Sequence, residues 1–152
     1  MITNAAHLHL VLNHLPIFGI LFALCLLLAG LGLRDRSLKR AGLVTLILIA
    51  LATPGVYLSG EAAEETVEKL PGFLETYIEK HEELAKIALL FTSASGVLSA
   101  LSLLKGESRK LVALTLLWGL LTFAVLGLVG NSGGKIRHSE IRGEQPPAYE
   151  VE

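Results

Sequence analysis

The amino-acid sequence predicts an all-α fold: an integral membrane four-helix up-down-up-down bundle with both termini outside. Three observations carry this reading. First, the 152-residue chain is 52% hydrophobic, and that content falls in four blocks, Leu8–Leu33, Ala41–Leu58, Leu84–Leu104 and Leu111–Gly130. A spanning helix needs about 20 apolar residues, and each block meets or approaches that length. Soluble helices would carry polar stripes, which these blocks mostly lack. Second, the connections "RDRSLKR" (34–40) and "KGESRK" (105–110) are short and basic, which assigns them to the cytoplasmic side. Third, the connection between the second and third blocks is glutamate-rich, and short turns make consecutive helices neighbours. The chain then belongs in a bacterial inner membrane, crossing it several times.

Asn13, His14 and Pro16 interrupt the first block. It lacks a basic n-region and is too long for a signal-peptide core, so it reads as a retained helix. Cys25 lies mid-helix and is expected to be a small buried filler. The acidic connection, 59–82, is expected to be partly helical: Ser59 is an N-cap, good helix formers run to Leu70, and Pro71-Gly72 is a stop. Phe73, Tyr77 and Ile78 are expected interface anchors as the chain re-enters the membrane. A transmembrane domain over 1–134 is followed by an outer tail, 135–152. The Gly-Gly pair at 133–134 is a hinge from which the tail folds back in part, and its Pro-Pro acidic end reads as disordered. Each half is a helix pair joined by a basic turn, with no residue-level repeat evident.

This topology places all five histidines on the outer side. Polar groups at that depth are costly and usually functional. His14 lies six residues beyond Leu8, about 9 Å down at 1.5 Å per residue, and is expected to face the bundle. His81 shares a helical face with Ala85, Ala88, Thr92, Ser95 and Ser99, a small-residue stripe that admits a partner backbone or a flat ring system. Two neutral imidazoles from facing helices, with cations for the propionates, suit a b-type heme. His14 and His81 are the expected axial pair, His9 and His138 a second pair or supporting groups, and Arg137, Arg142 or Lys135 the propionate partners. His7 reads as interfacial.

The stretch "HLVLNHLPIFGIL" and the closing "GGKIRHSEI" resemble a family of small bacterial four-helix membrane proteins. That family opens on a His-Pro…Val-His-Phe-Pro-Ile signature and closes with Gly-Gly-x-Leu/Ile. His9 and His14 hold the two histidine positions, Pro16-Ile17 follow, and His81 matches a histidine at the start of the third helix. Leu10 stands where the family has proline and "HLP" replaces "HFP", which with the acidic "GEAAEETVEKLPG" stretch suggests a distinct subgroup. The resemblance implies the four-helix fold and a b-heme or redox association.

The expected function is therefore membrane electron transfer through heme b near the periplasmic face, with quinol or a periplasmic redox protein as partner. An electron carrier or accessory subunit fits better than a stand-alone enzyme. One alternative is a non-heme iron, zinc or copper site drawing on His14, His81, His138, Glu61, Glu64 and Glu140. Glu65 and Glu82 are further carboxylates in reach of that set, although no Glu-x-x-His motif is present. Another is a cofactor-free structural subunit, in a homo-oligomer or larger complex. No basic aromatic surface for nucleic acid and no nucleophile–base arrangement is legible.

Overall fold

The computed structural model describes residues 4–67, 70 and 73–143. Among these the protein is built of helices: α1 (Ala5–Leu12), α2 (Leu15–Gly32), α3 (Arg36–Val67), α4 (Glu75–Leu104), α5 (Arg109–Arg137) and a short 3-10 turn over Ser139–Ile141. Together α1 and α2 form one span, Ala5–Gly32. That span and α3, α4 and α5 are each long and apolar enough to cross a membrane. The predicted Pro71-Gly72 stop and the Pro-rich tail end lie outside the described residues.

The burial pattern is inverted relative to a water-soluble bundle. Thr92, Ser95, Ser99, Ser102, Thr115 and Thr122 are fully buried, while Phe18, Leu51, Leu90 and Leu104 are largely exposed. Small hydroxyl residues let helix backbones approach, and their hydrogens find partners where no water competes. Ser95 bonds Thr122 at 2.9 Å and Ser102 bonds Thr115 at 2.9 Å, stitching α4 to α5. Trp118 Nε1 donates to the Phe91 carbonyl at 3.0 Å, and the two rings stack. The small-residue stripe below His81 is thus filled by helix packing. The apolar core proper lies between α2 and α3, around Ile20, Ala23, Leu27, Leu43 and Leu46.

Three expectations change. The first block is not one straight helix: Asn13 and His14 form a turn between α1 and α2. Pro16 has no N–H to offer the Leu12 carbonyl and disfavours helical geometry in the residue before it, so the ladder opens there. Ser59 is no N-cap, because α3 runs through Pro54 and continues to Val67. Ser59 instead donates to the Val56 carbonyl at 2.6 Å, the back-bond open to a mid-helix serine. Cys25 is exposed on the outer surface of α2 rather than buried.

The α4–α5 turn is locked to the start of α3 by one buried carboxylate. Glu107 Oε1 accepts from Arg40 Nε at 2.7 Å and Arg36 Nε at 3.1 Å. Burial pushes the Glu107 carboxyl upward, but the hydrogen bonds and charges of Arg40 and Arg36 outweigh it and hold it below its ordinary value of 4.5. The unfolded chain therefore binds the proton more readily in that acidic window, so this stabilisation is complete above the ordinary value and is lost as pH falls through the lower, folded one. Glu107→Gln should destabilise the bundle by about 2 kcal/mol at neutral pH. Thermal unfolding in detergent should show the gap to wild type closing on acidification. A gap unchanged between neutral and strongly acidic pH would remove Glu107 from this role.

Candidate functional site

Two histidines occupy equivalent shelves. In the α1–α3 pair, His9 Nδ1 lies 3.0 Å from Ser59 Oγ. In the α4–α5 pair, His81 Nδ1 lies 3.0 Å from Ser132 Oγ. Each serine hydroxyl already spends its single hydrogen on a backbone carbonyl, Ser59 on Val56 at 2.6 Å and Ser132 on Val129 at 2.8 Å. A hydroxyl has one hydrogen and two lone pairs, so each serine must accept from its histidine. The assignment that satisfies both contacts of each serine puts the proton on Nδ1 of both rings, and in the neutral ring Nε2 then keeps its lone pair.

The residue after each serine is glycine, and each glycine gives its histidine room. A Cβ at Gly60 would sit 3.2 Å from His9 Cε1, and one at Gly133 would sit 3.0 Å from His81 Cε1. Both rings are half-buried. The shelves repeat in sequence: Val56, Ser59 and Gly60 recur as Val129, Ser132 and Gly133, each 73 residues on. The N-caps of α3 and α5 keep the same spacing, with Asp35 accepting from Leu38 N–H and Ser108 from Leu111 N–H. A residue-level repeat is present after all. Its signal was Val-x-x-Ser-Gly, occurring twice with a histidine about 50 residues before each serine. His9 and His81 are separated by 72 residues rather than 73, and the turn at Asn13–His14 interrupts only the first copy.

The expected site residues separate accordingly. His14, expected to face the bundle, is exposed and stacks on Phe18 with ring centroids 6.2 Å apart. The kink at Pro16 turns α1 independently of α2, so His9 faces α3 while His14 faces outward. His7 backs the α1 N-cap, its N–H donating to Asn4 Oδ1 at 2.9 Å. His138 is exposed at the end of α5 and pairs with Glu140 at 2.7 Å. The contact with His138 and the backbone N–H of Glu140 itself hold the Glu140 carboxyl below its ordinary range, the backbone contact contributing most.

The Gly-Gly hinge expected at 133–134 is helical, because α5 continues to Arg137. The chain after it returns over the start of α4. Arg142 bonds the Lys135 and Ile136 carbonyls and lies over the Tyr77 ring, with its guanidinium carbon 4.7 Å from the centroid. Arg137 lies 5.3 Å over Phe73. Tyr77 precedes His81 by one helical turn, so both arginines carry positive charge to the end of α4 that bears His81.

Glu61 and Glu140 are exposed and Glu64 is half-buried. Among the described residues no group of three His, Cys, Asp or Glu side chains converges to hold a metal ion. The set His14, His81, His138, Glu61, Glu64 and Glu140 is not brought together. Glu82 is taken by Lys86 at 2.9 Å and by the Tyr57 hydroxyl at 3.3 Å. No protein-family model matches the chain, and neither does any curated protein or solved structure.

Proposed function

We propose that the protein is a bis-histidine b-type cytochrome of a bacterial inner membrane, with His9 and His81 as the axial pair. The observation that carries this reading is the pair of matched shelves, each fixing one imidazole with Nδ1 protonated and Nε2 free. Iron-ligating histidines commonly donate their second ring N–H to a fixed acceptor, which sets tautomer and ring orientation. Ser59 and Ser132 fill that role, and Gly60 and Gly133 leave the rings in place. Heme b bound between the two rings would supply a one-electron couple.

The residues do the remaining work. The Nε2 atoms would hold the iron, and Ser59 and Ser132 would orient the rings. Arg137 stands over the α4 end of the site as the available propionate partner. Arg142 is already committed to backbone carbonyls and to Tyr77, and so contributes charge rather than a flexible clamp. In this reading the two basic turns face the cytoplasm and the bundle runs up-down-up-down. Both termini and the histidine pair then face the periplasm, open to quinol or a periplasmic redox partner.

The test is a visible spectrum. Protein purified in detergent from heme-replete cells should show a Soret band and sharpened α and β bands on reduction. Metal analysis should return iron with no other stoichiometric metal. Colourless protein from such cells would refute the reading.

A further inference from the structure

The opposite end of the bundle holds a cavity that the histidine site does not use. It has a volume of about 570 Å³ and lies between the two basic turns, lined by Gly30 and Leu31 of α2, Arg34, Lys39 and Glu107, and by the start of α5 at Arg109, Val112 and Ala113. The two turns carry seven cations, of which Lys105 and Lys110 do not line the cavity and the other five divide in two. Arg36 and Arg40 are spent on Glu107. Arg34, Lys39 and Arg109 line the cavity, and among the described residues they have no ion-pair partner.

The backbone is also unusual here. Among the described residues only two non-glycine residues adopt the left-handed conformation, Arg34 at φ 55° and Glu107 at φ 63°, and both line this cavity. They occupy equivalent positions in the two halves, one in each basic turn. Non-glycine residues persist in this conformation where the surroundings over-determine them, and they cluster at ligand sites. Glu107 binds Arg36 and Arg40 through Oε1, while its buried Oε2 has no hydrogen-bond partner. The carboxylate thus fixes the turn that carries Arg109 while leaving three cations unneutralised. A concave wall of arginine and lysine is a recognition surface for phosphate.

We infer that this cavity binds the phosphodiester headgroup of an anionic phospholipid. The shared chemistry is a phosphate anion, and the apolar surroundings favour a lipid as its source. Leu31 forms part of the wall, and Leu33 and Leu104 nearby are 74% and 80% exposed, so apolar surface continues from the cavity along the bundle flank. A headgroup on the cations and acyl chains along those leucines would satisfy both surfaces. This inference is independent of the heme reading.

The experiment uses the full chain in nanodiscs of phosphatidylcholine, with or without added phosphatidylglycerol, and native mass spectrometry to count retained lipid. Wild type should retain phosphatidylglycerol over phosphatidylcholine by about tenfold. The triple variant Arg34→Gln, Lys39→Gln, Arg109→Gln should lose that preference while melting like wild type in phosphatidylcholine, because Arg36, Arg40 and Glu107 are intact. Ala113→Trp, which fills the cavity and leaves every charge in place, should lose it too, and decides the matter alone if the triple variant does not fold. No preference in wild type overturns the inference. A preference that survives Ala113→Trp also overturns it, as general attraction to an anionic surface. Displacement of the lipid by millimolar inorganic phosphate would reassign the cavity to a soluble phosphate ligand and overturn the lipid source.

Discussion

Replacing either His9 or His81 with alanine is expected to abolish the Soret band, while His14→Ala and His138→Ala retain it. Each ring is held by a serine that can only accept, so each presents one lone pair, and neither position has a substitute nearby. His14 stacks outward on Phe18, and His138 is paired with Glu140 at the surface. Removing the orienting group should be milder than removing the ligand. Ser59→Ala and Ser132→Ala should each weaken heme retention about 10- to 100-fold, measured by transfer to apomyoglobin, with the protein still coloured at high heme supply. A purely structural histidine would behave differently. Its loss would lower thermal stability of the heme-free protein without a spectral signature. The pair is therefore checked by two readouts, the spectrum and the melting temperature of protein made without heme. Equal spectra from His9→Ala and wild type would remove α1 from the site.

The four helices long and apolar enough to cross a membrane were legible because that property is decided by composition over about 20 residues, and the blocks carry it openly. The site was legible only in outline. Helical-wheel geometry places His9 about 140° from His14, and choosing His14 as the deeper residue assumes one unbroken helix. Pro16 voids that assumption by releasing α1 from α2. The serine shelves were hidden for a related reason. Ser59 next to a glutamate run resembles a helix start, and only the packing of α1 against α3 shows its hydroxyl turned back on Val56. The Gly133-Gly134 pair likewise resembles a hinge, since glycine pairs break helices in water. In α5 they continue the helix, and Gly133 gives His81 a flat surface. The acidic segment was the loudest signal outside the spans and drew Ser59 into a helix-start reading, whereas the Val-x-x-Ser-Gly repeat was quiet. Cys25 was misplaced because small residues mark the interior in a soluble core, whereas here Ser and Thr hold the interior and the outer face is apolar.

Gly42→Ala and Gly30→Ala should be among the most damaging single-methyl changes at the described residues, because both would place a carbon against backbone. A Cβ at Gly42 would meet the Ala23 carbonyl oxygen at 2.9 Å and Leu27 Cγ at 2.8 Å. One at Gly30 would meet the Lys39 nitrogen at 2.6 Å and the Asp35 carbonyl oxygen at 3.1 Å. The two glycines lie on opposite partners of the α2–α3 seam, so each helix offers the other a bare stretch of backbone. Side chains yield to such a clash by changing rotamer, but backbone yields only by moving the helix. Each substitution should cost about 3 kcal/mol, at the upper end of overpacking effects. Gly127→Ala supplies the control, since nothing lies within 4 Å of its Cβ position and alanine is the better helix former. Rescue separates the mechanisms. Leu27→Ala removes the side-chain clash and leaves the contact with Ala23 carbonyl, so, measured against Leu27→Ala alone to discount the lost core side chain, the cost of Gly42→Ala should fall only in part. Full recovery would mean that side-chain crowding alone sets the α2–α3 distance, and that the backbone approach at this seam is incidental.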